Sequence, residues 1–435
     1  MTDAGADEVV QICQELIRID TTNTGATATS AGERAAAEYV AAKLSEVGLE
    51  PVMHESEPGR TSVVARMPGA DPSRDALLIH GHLDVVPADA SEWSVDPFSG
   101  EERDGYIWGR GAVDMKDFDA MTLALVRQWR REGRVPPRDI VLAFLADEEA
   151  GGRLGAHHLV DHRPELFEGV TEAIGEVGGF SVTVSDDLRL YLIETAQKGI
   201  SWIRLTATGR PGHGSMVHDD NAVTRLCEAV ATLGRYRFPI ELTDTVRGFL
   251  EQVCEALGIE LDVNDPELAV AKLGPIARVV GATLRNTVNP TMLDAGYKAN
   301  VIPSRASAVV DGRTLPGNEE RFLDQIKKLI GPDVQAEFIE HQPALETSFD
   351  GALVDAMADA LRELDPAARP VPYMLSGGTD AKAFARLGIR CFGFAPLKLP
   401  AGLDFSALFH GIDERVPVDG LKFGVGVLDR FLSRC

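Results

Sequence analysis

The chain has 435 residues, 44% hydrophobic and 25% charged, the make-up of a folded globular protein long enough for more than one hydrophobic core. Its 43 Lys and Arg stand against 67 Asp and Glu, a formal charge of −24 that argues against nucleic acid and anionic membrane surfaces as partners. Five scattered cysteines without a CxxC pair, a start lacking a signal-peptide pattern and no apolar run of membrane-spanning length make a reduced, cytoplasmic protein the expectation.

In chain order, "DEVVQICQELIRI" sets Val9, Ile12, Leu16 and Ile17 at helical spacing, and "GERAAAEYVAAKLSEVG" predicts a second helix ending at Gly48. The β-rich runs "TSVVARM", "DALLIHGHLDVV" and "DIVLAFLAD" follow, with helical patterns at 116–132 and 154–160 between or after them. This alternation predicts an α/β domain, a mixed sheet with helices on both faces. Near residue 198 the texture changes. "GISWIRLTATG" alternates as an amphipathic strand and "NAVTRLCEAVATLGRY" reads as a helix. "TLRNTVNPTMLDAG" and "SRASAVVDGRTLPG" read as strands, "EERFLDQIKKLIG" as a helix and "VQAEFIEHQPA" as a strand. The order β-α-β-β-α-β is that of a ferredoxin-like α+β domain, here with a helical insertion at roughly 240–280. After about residue 345 the first texture returns, with a helix near 351–363, the strand "IRCFGFAP" and a last helix at 419–433. The predicted division is 1–197 and 345–435 for one discontinuous domain and 198–344 for an inserted one.

Chemistry-bearing groups gather where these elements end. The run "LLIHGHLDVVP" finishes with His82 and Asp84 two residues apart, hence on one face of a strand. A buried carboxylate there needs a positive partner, which a metal ion or a structural ion pair would supply. Four further segments deliver acids or an imidazole at an element's end: "WGRGAVDMKD" (Asp114), "FLADEEAGG" (Asp147, Glu148, Glu149), "AIGEVGG" (Glu176) and "LFHGIDERV" (His410). Sites in open α/β sheets collect beyond the carboxyl ends of strands. Each residue alone has a plainer reading, as a turn former, a solvated helix start or an ordinary buried histidine. Together His82, Asp114, Glu149, Glu176 and His410 form a set of nitrogen and oxygen donors suited to zinc, or to cobalt or manganese. If one carboxylate bridges, five side chains give each of two ions three protein ligands.

The motifs "HGHLDVVP", "WGRGAVDMKD", "DEEAGG", "GRPGHGSMVHDDNAV", "NVIPSRASAVVDGRTLPG", "SGGTDAKAF" and "FHGIDERV" occur in this order over nearly the whole chain. With them the sequence resembles the co-catalytic zinc hydrolases that include aminoacylase, carboxypeptidase G, carboxypeptidase S and succinyl-diaminopimelate desuccinylase. The resemblance implies an inserted domain that serves as lid and dimerisation surface. It implies His82 and Glu176 on one metal, Glu149 and His410 on the other and Asp114 bridging them. Asp84 would hydrogen-bond His82 and fix its tautomer, and Glu148 would act as general base. His213 would stabilise the oxyanion, and Gly377, Gly378 and Thr379 would seat a substrate carboxylate, the glycines permitting close approach. Arg313 has two open readings, carboxylate recognition or an ion pair with Asp311.

Within that family a Glu at the position of Glu176 goes with deacylases and carboxypeptidase-type enzymes. The expected substrate is therefore a small molecule, a dipeptide or N-acyl-amino acid with a free carboxylate. A mononuclear metal hydrolase, another metal-dependent acyl-group enzyme and a non-catalytic binding protein on the same scaffold are the alternatives. Dimerisation through the inserted domain is a further expectation.

Overall fold

The computed structural model describes residues 4–273 and 276–435. The chain forms two compact units. The first ends at Glu194 and resumes over Phe349–Pro372 and Thr379–Cys435, and the second comprises Thr195–Ser348 and Tyr373–Gly378.

The first unit is built on a mixed sheet with helices. Its strands lie in the order Val52–Glu57, Arg60–Met67, Ile140–Leu145, Ala76–His82, Val170–Gly175, Arg390–Gly393 and Leu188–Gln197. The central four run parallel, and the strands flanking them pair antiparallel. Every residue of Ala76–His82 and of Ile140–Leu145 is buried, as expected of parallel strands covered on both faces. That double burial explains why both read as unbroken apolar runs rather than as alternating ones. The helices Ala4–Ile17, Lys116–Glu132 and Val418–Leu432 contribute Ile12, Leu16, Phe118, Leu125, Val425 and Phe431 to this core.

Two differences from the sequence reading have physical causes. The run 75–86 stops pairing as a strand at His82, and Val85 forms instead an isolated bridge with Thr22. The strand Leu188–Gln197 escaped the pattern because its buried stretch includes Glu194, Thr195 and Gln197 beside its leucines.

The second unit has the predicted β-α-β-β-α-β order. Its sheet is antiparallel, with strands ordered Thr287–Ala295, Arg305–Thr314, Gly199–Thr208 and Val334–Gln342. Along Gly199–Thr208, Ile203, Leu205 and Ala207 turn inward onto Leu226 and Leu233 of helix Ala222–Arg235 and Phe322 and Ile326 of helix Glu319–Ile330. The helical insertion appears as Asp244–Leu257, Pro266–Val270 and Ile276–Gly281. The first of these is started by Thr243, whose hydroxyl accepts the Val246 N–H. Among the described residues no helix is long and apolar enough to cross a membrane.

Candidate metal centre

Because the four central strands are parallel, their carboxyl ends fall along one edge. His82 is the last residue of its strand, Asp147–Glu149 follow Leu145, and Glu176 follows Gly175. The loop Gly109–Met115 and the turn around His410 complete the cluster.

Two groups of ligand atoms result. Those of His82, Asp114 and Glu176 lie within 4.8 Å of one another, and so do those of Asp114, Glu149 and His410. Asp114 belongs to both. Its Oδ1 is 3.1 Å from His82 Nε2, and its Oδ2 is 3.2 Å from His410 Nε2. Glu176 Oε2 stands 3.5 Å from His82 Nε2, and Glu149 Oε2 3.1 Å from His410 Nε2. Glu148 Oε2 is 4.0 Å from His82 Nε2.

Backbone strain accompanies these positions. His410 (φ 57°), Val177 (φ 59°) just after Glu176 and Asp147 (φ 70°) just before Glu148 all occupy the left-handed region as non-glycine residues. Such conformations persist where surrounding contacts over-determine them, and they concentrate at functional sites.

The electrostatics describe a site rich in negative charge. Burial opposes the charged form of His82, but Glu176 and Asp114 outweigh it and hold the imidazole well above its usual pKa. Hydrogen bonds that Asp114 and Glu149 accept from its ring raise His410 to about 10. Burial would raise Asp114, yet the two imidazoles keep it below the usual carboxylate range. Burial and the charge of Asp114 push Glu149 up to about 7. Burial and Glu176 push Glu148 well above its ordinary value. Glu149 Oε1, moreover, is buried without a hydrogen-bond partner. Such an orphaned acceptor among carboxylates and two imidazoles fits cations, and the mix of nitrogen and oxygen donors fits a first-row divalent ion.

Asp84 meets His82 through its main chain. His82 Nδ1 lies 2.9 Å from the main-chain carbonyl of Asp84, so that carbonyl takes the ring N–H, while the Asp84 carboxylate is 3.6 Å away. The carboxylate serves the neighbouring turn instead, Oδ1 accepting the N–H of Glu148 and Oδ2 that of Glu149, each at 3.1 Å. Asn23 Nδ2 donates to the same Oδ2 at 2.8 Å and to Asp147 Oδ1 at 3.2 Å, and Arg60 Nη2 reaches Asp147 Oδ1 at 2.8 Å. Asp380 is a further buried carboxylate whose Oδ2 has no hydrogen-bond partner, raised well above its ordinary pKa by burial and Glu176. Sequence reasoning singled out none of Asn23, Arg60, Asp380 and Glu414. Asp380 and Glu414 sit inside quoted motifs, which was the one signal available; Asn23 and Arg60 had none.

Of the remaining candidates, His213 lies in the second unit with an exposed imidazole. Its Nδ1 is 3.3 Å from the N–H of Ser215 and 2.8 Å from the Ser215 hydroxyl. A backbone N–H can only donate, so Nδ1 accepts and the neutral ring carries its proton on Nε2. Thr379 is buried in the first unit, its hydroxyl accepting the Ala381 N–H at 3.1 Å. Gly377 and Gly378 belong to the second unit, and the three atoms nearest a Cβ at Gly377 would all be those of Leu375, at 3.7 Å or more. Arg313 makes the ion pair, two contacts to Asp311 at 2.7 and 3.1 Å.

Comparison with known proteins gives these residues a context. The model of peptidase family M20/M25/M40 matches residues 78–434. Aminoacylase-1 of Sus scrofa is 29% identical over 417 residues, covering 92% of this chain and 89% of that protein. In three dimensions, an M20 family metallo-carboxypeptidase from Sulfolobus solfataricus superposes with a TM-score of 0.73 at 20% identity, over 98% of this chain and 99% of the other. A dinuclear metal binding peptidase of the same family from Bacillus subtilis gives a TM-score of 0.65 at 13% identity, over 99% and 98%.

Proposed function

Because the chain belongs to peptidase family M20/M25/M40, we propose that it uses two divalent ions to hydrolyse the amide bond of dipeptides or N-acyl-amino acids carrying a free carboxylate. Membership makes it a metal-dependent peptidase or amidohydrolase. The observation that carries the two-ion reading is Asp114, whose two oxygens face different imidazoles at 3.1 and 3.2 Å. In this reading His82 and Glu176 hold one ion, Glu149 and His410 the other, and Asp114 both. The donor set suits zinc first, and cobalt or manganese as well. Divalent ions held there would supply carbonyl polarisation and a water of lowered pKa.

The chain's own groups move the proton and place the substrate. Glu148 takes a proton from the water and returns it to the leaving nitrogen. Asp84 fixes the turn that aims Glu148. His213 donates from Nε2 to the developing oxyanion, the tautomer its Ser215 contacts favour. Gly377, Gly378 and Thr379 seat the substrate carboxylate. Strand Thr287–Ala295 ends one edge of its sheet, with Met292 and Leu293 exposed there and Tyr297 just beyond, which supports a homodimer through this edge.

The test is hydrolysis of a panel of dipeptides and N-acyl-amino acids by metal-depleted protein with zinc, cobalt or manganese added back, Glu148→Gln serving as control. Metal-dependent cleavage that the variant lacks supports the reading, and the preferred substrate names the class. Two ions bound with no cleavage of any panel member would overturn it.

A further inference from the structure

The loop that carries Asp114 is gathered by a single buried carboxylate to which nothing so far assigns a role. Glu414, four residues after His410, is fully buried. Its Oε1 accepts the main-chain N–H of Val113 at 2.7 Å and of Asp114 at 3.1 Å. Its Oε2 accepts Arg110 Nη1 at 2.7 Å and the Gly111 N–H at 3.1 Å. A carboxylate has about four lone-pair sites, and here all four are filled from one stretch of loop. The main chain of Glu414 joins in, its carbonyl accepting the Gly109 N–H at 2.9 Å. Strand Arg415–Pro417 then pairs antiparallel with Tyr106–Trp108, which fixes the register between the His410 segment and the Asp114 loop. Gly111, at φ 87°, occupies the left-handed region that this turn requires.

From this geometry we propose that Glu414 is a positioning residue, holding Asp114 in the orientation that lets one carboxylate face His82 and His410 at once. The inference rests on the two-metal reading of the site. Glu414 touches neither substrate nor reacting atoms; it acts through the backbone of Asp114 and by tying that backbone to the segment bearing His410. Gln in its place offers one acceptor oxygen and turns an NH2 toward two donors. Asp keeps the charge and falls a methylene short.

The experiment is cobalt titration of the metal-depleted full chain, followed by visible absorption and calorimetry, for wild type, Glu414→Gln and Glu414→Asp. The wild type is expected to take up two ions. Glu414→Gln should bind cobalt about 10- to 100-fold more weakly and change the visible bands at saturation, because its loss alters how Asp114 meets both ions. Glu414→Asp should recover part of both effects. If Glu414→Gln lowers the melting temperature but leaves affinity and spectrum as in wild type, Glu414 merely supports the fold and the proposal is overturned. Where that variant does not fold, Arg110→Lys, which removes the guanidinium from Oε2, takes its place; a weaker affinity is expected and an unchanged one overturns the proposal. A wild type that binds a single ion would sink the two-metal reading instead, a different result from either.

Discussion

The carboxylate of Asp84 accepts the main-chain N–H of Glu149 at 3.1 Å, and with its other oxygen that of Glu148. Asp84 stands two residues after His82, so one side chain ties the strand end bearing one candidate ligand to the turn bearing another. Substituting Asp84→Asn turns an amide NH2 toward a backbone N–H and removes the charge that both donors share. We expect kcat/KM to fall about 10- to 100-fold and metal affinity to fall with it. Steady-state kinetics and metal analysis of the purified variant check this, and activity within about threefold of wild type would contradict the role.

Glu148→Gln should separate stability from activity. The Glu148 carboxylate is buried near Glu176 and Glu149, and those charges with burial push its pKa well up. An amide spares the metal-free fold the cost of keeping this acid protonated or charged there, so the variant's melting temperature should equal or exceed that of wild type. Its kcat should drop about 10²- to 10⁴-fold, the range for removing a general base. Calorimetry of metal-free protein beside kinetics of metal-loaded protein measures both; a destabilised variant with near-normal kcat would reverse the assignment.

How much of this was legible in the sequence depends on the range over which each contact acts. His82, Asp114, Glu149, Glu176 and His410 could be singled out because each closes a recognisable local pattern, and the structure gathers them in two groups sharing Asp114. The ferredoxin-like order of the second unit was equally local, since strands Gly199–Thr208 and Arg305–Thr314 alternate buried and more exposed residues and its two long helices on the sheet carry apolar stripes. Arg60 was invisible because it meets Asp147 across 87 residues, through the neighbouring strands Arg60–Met67 and Ile140–Leu145. Glu414 likewise meets Val113 across 301 residues. That Asp84 meets His82 Nδ1 through its main-chain carbonyl could not be read, because a carbonyl, which every residue has, leaves no mark on the sequence.

Gly81, between the two histidines of "HGH", is a packing requirement. A Cβ there would fall 2.4 Å from Asp119 Oδ1 and 3.0 Å from Met115 Cε. Both neighbours are buried, so either side chain must shift within a packed interior. Gly81→Ala should cost roughly 1–3 kcal/mol, the usual range for overpacking a core. Denaturant unfolding of the metal-free protein reads the loss directly, and a neutral result would mean that the Asp119 side chain can swing away.

The buried network around Arg60 makes the sharpest prediction, because its charges do not balance. Arg60 Nη2 lies 2.8 Å from Glu33 Oε1 and 2.8 Å from Asp147 Oδ1, with Arg60 and Glu33 both essentially inaccessible. One guanidinium thus faces two carboxylates, and Asp84 is coupled to them through Asn23. Burial and the charge of Asp84 push Glu33 up to about 8 against the pull of Arg60. Below about pH 4.5 Glu33 carries a proton folded and unfolded alike, and there Glu33→Gln should change stability by less than roughly 1 kcal/mol. Arg60→Met strips Asp147 of its partner and should cost roughly 3–5 kcal/mol. The pH dependence has a definite sign. The folded pKa lies above the unfolded value near 4.5, so the contribution of Glu33 is fully present below that value and is lost as pH rises through about 8. Relative to wild type, Glu33→Gln should gain stability steadily across that window. Melting temperatures of the two metal-free proteins at several pH values measure the gap. A gap that stays constant, or a Glu33→Gln loss as large as that of Arg60→Met, would mean that Glu33 is ionised and shares Arg60 as a true ion pair.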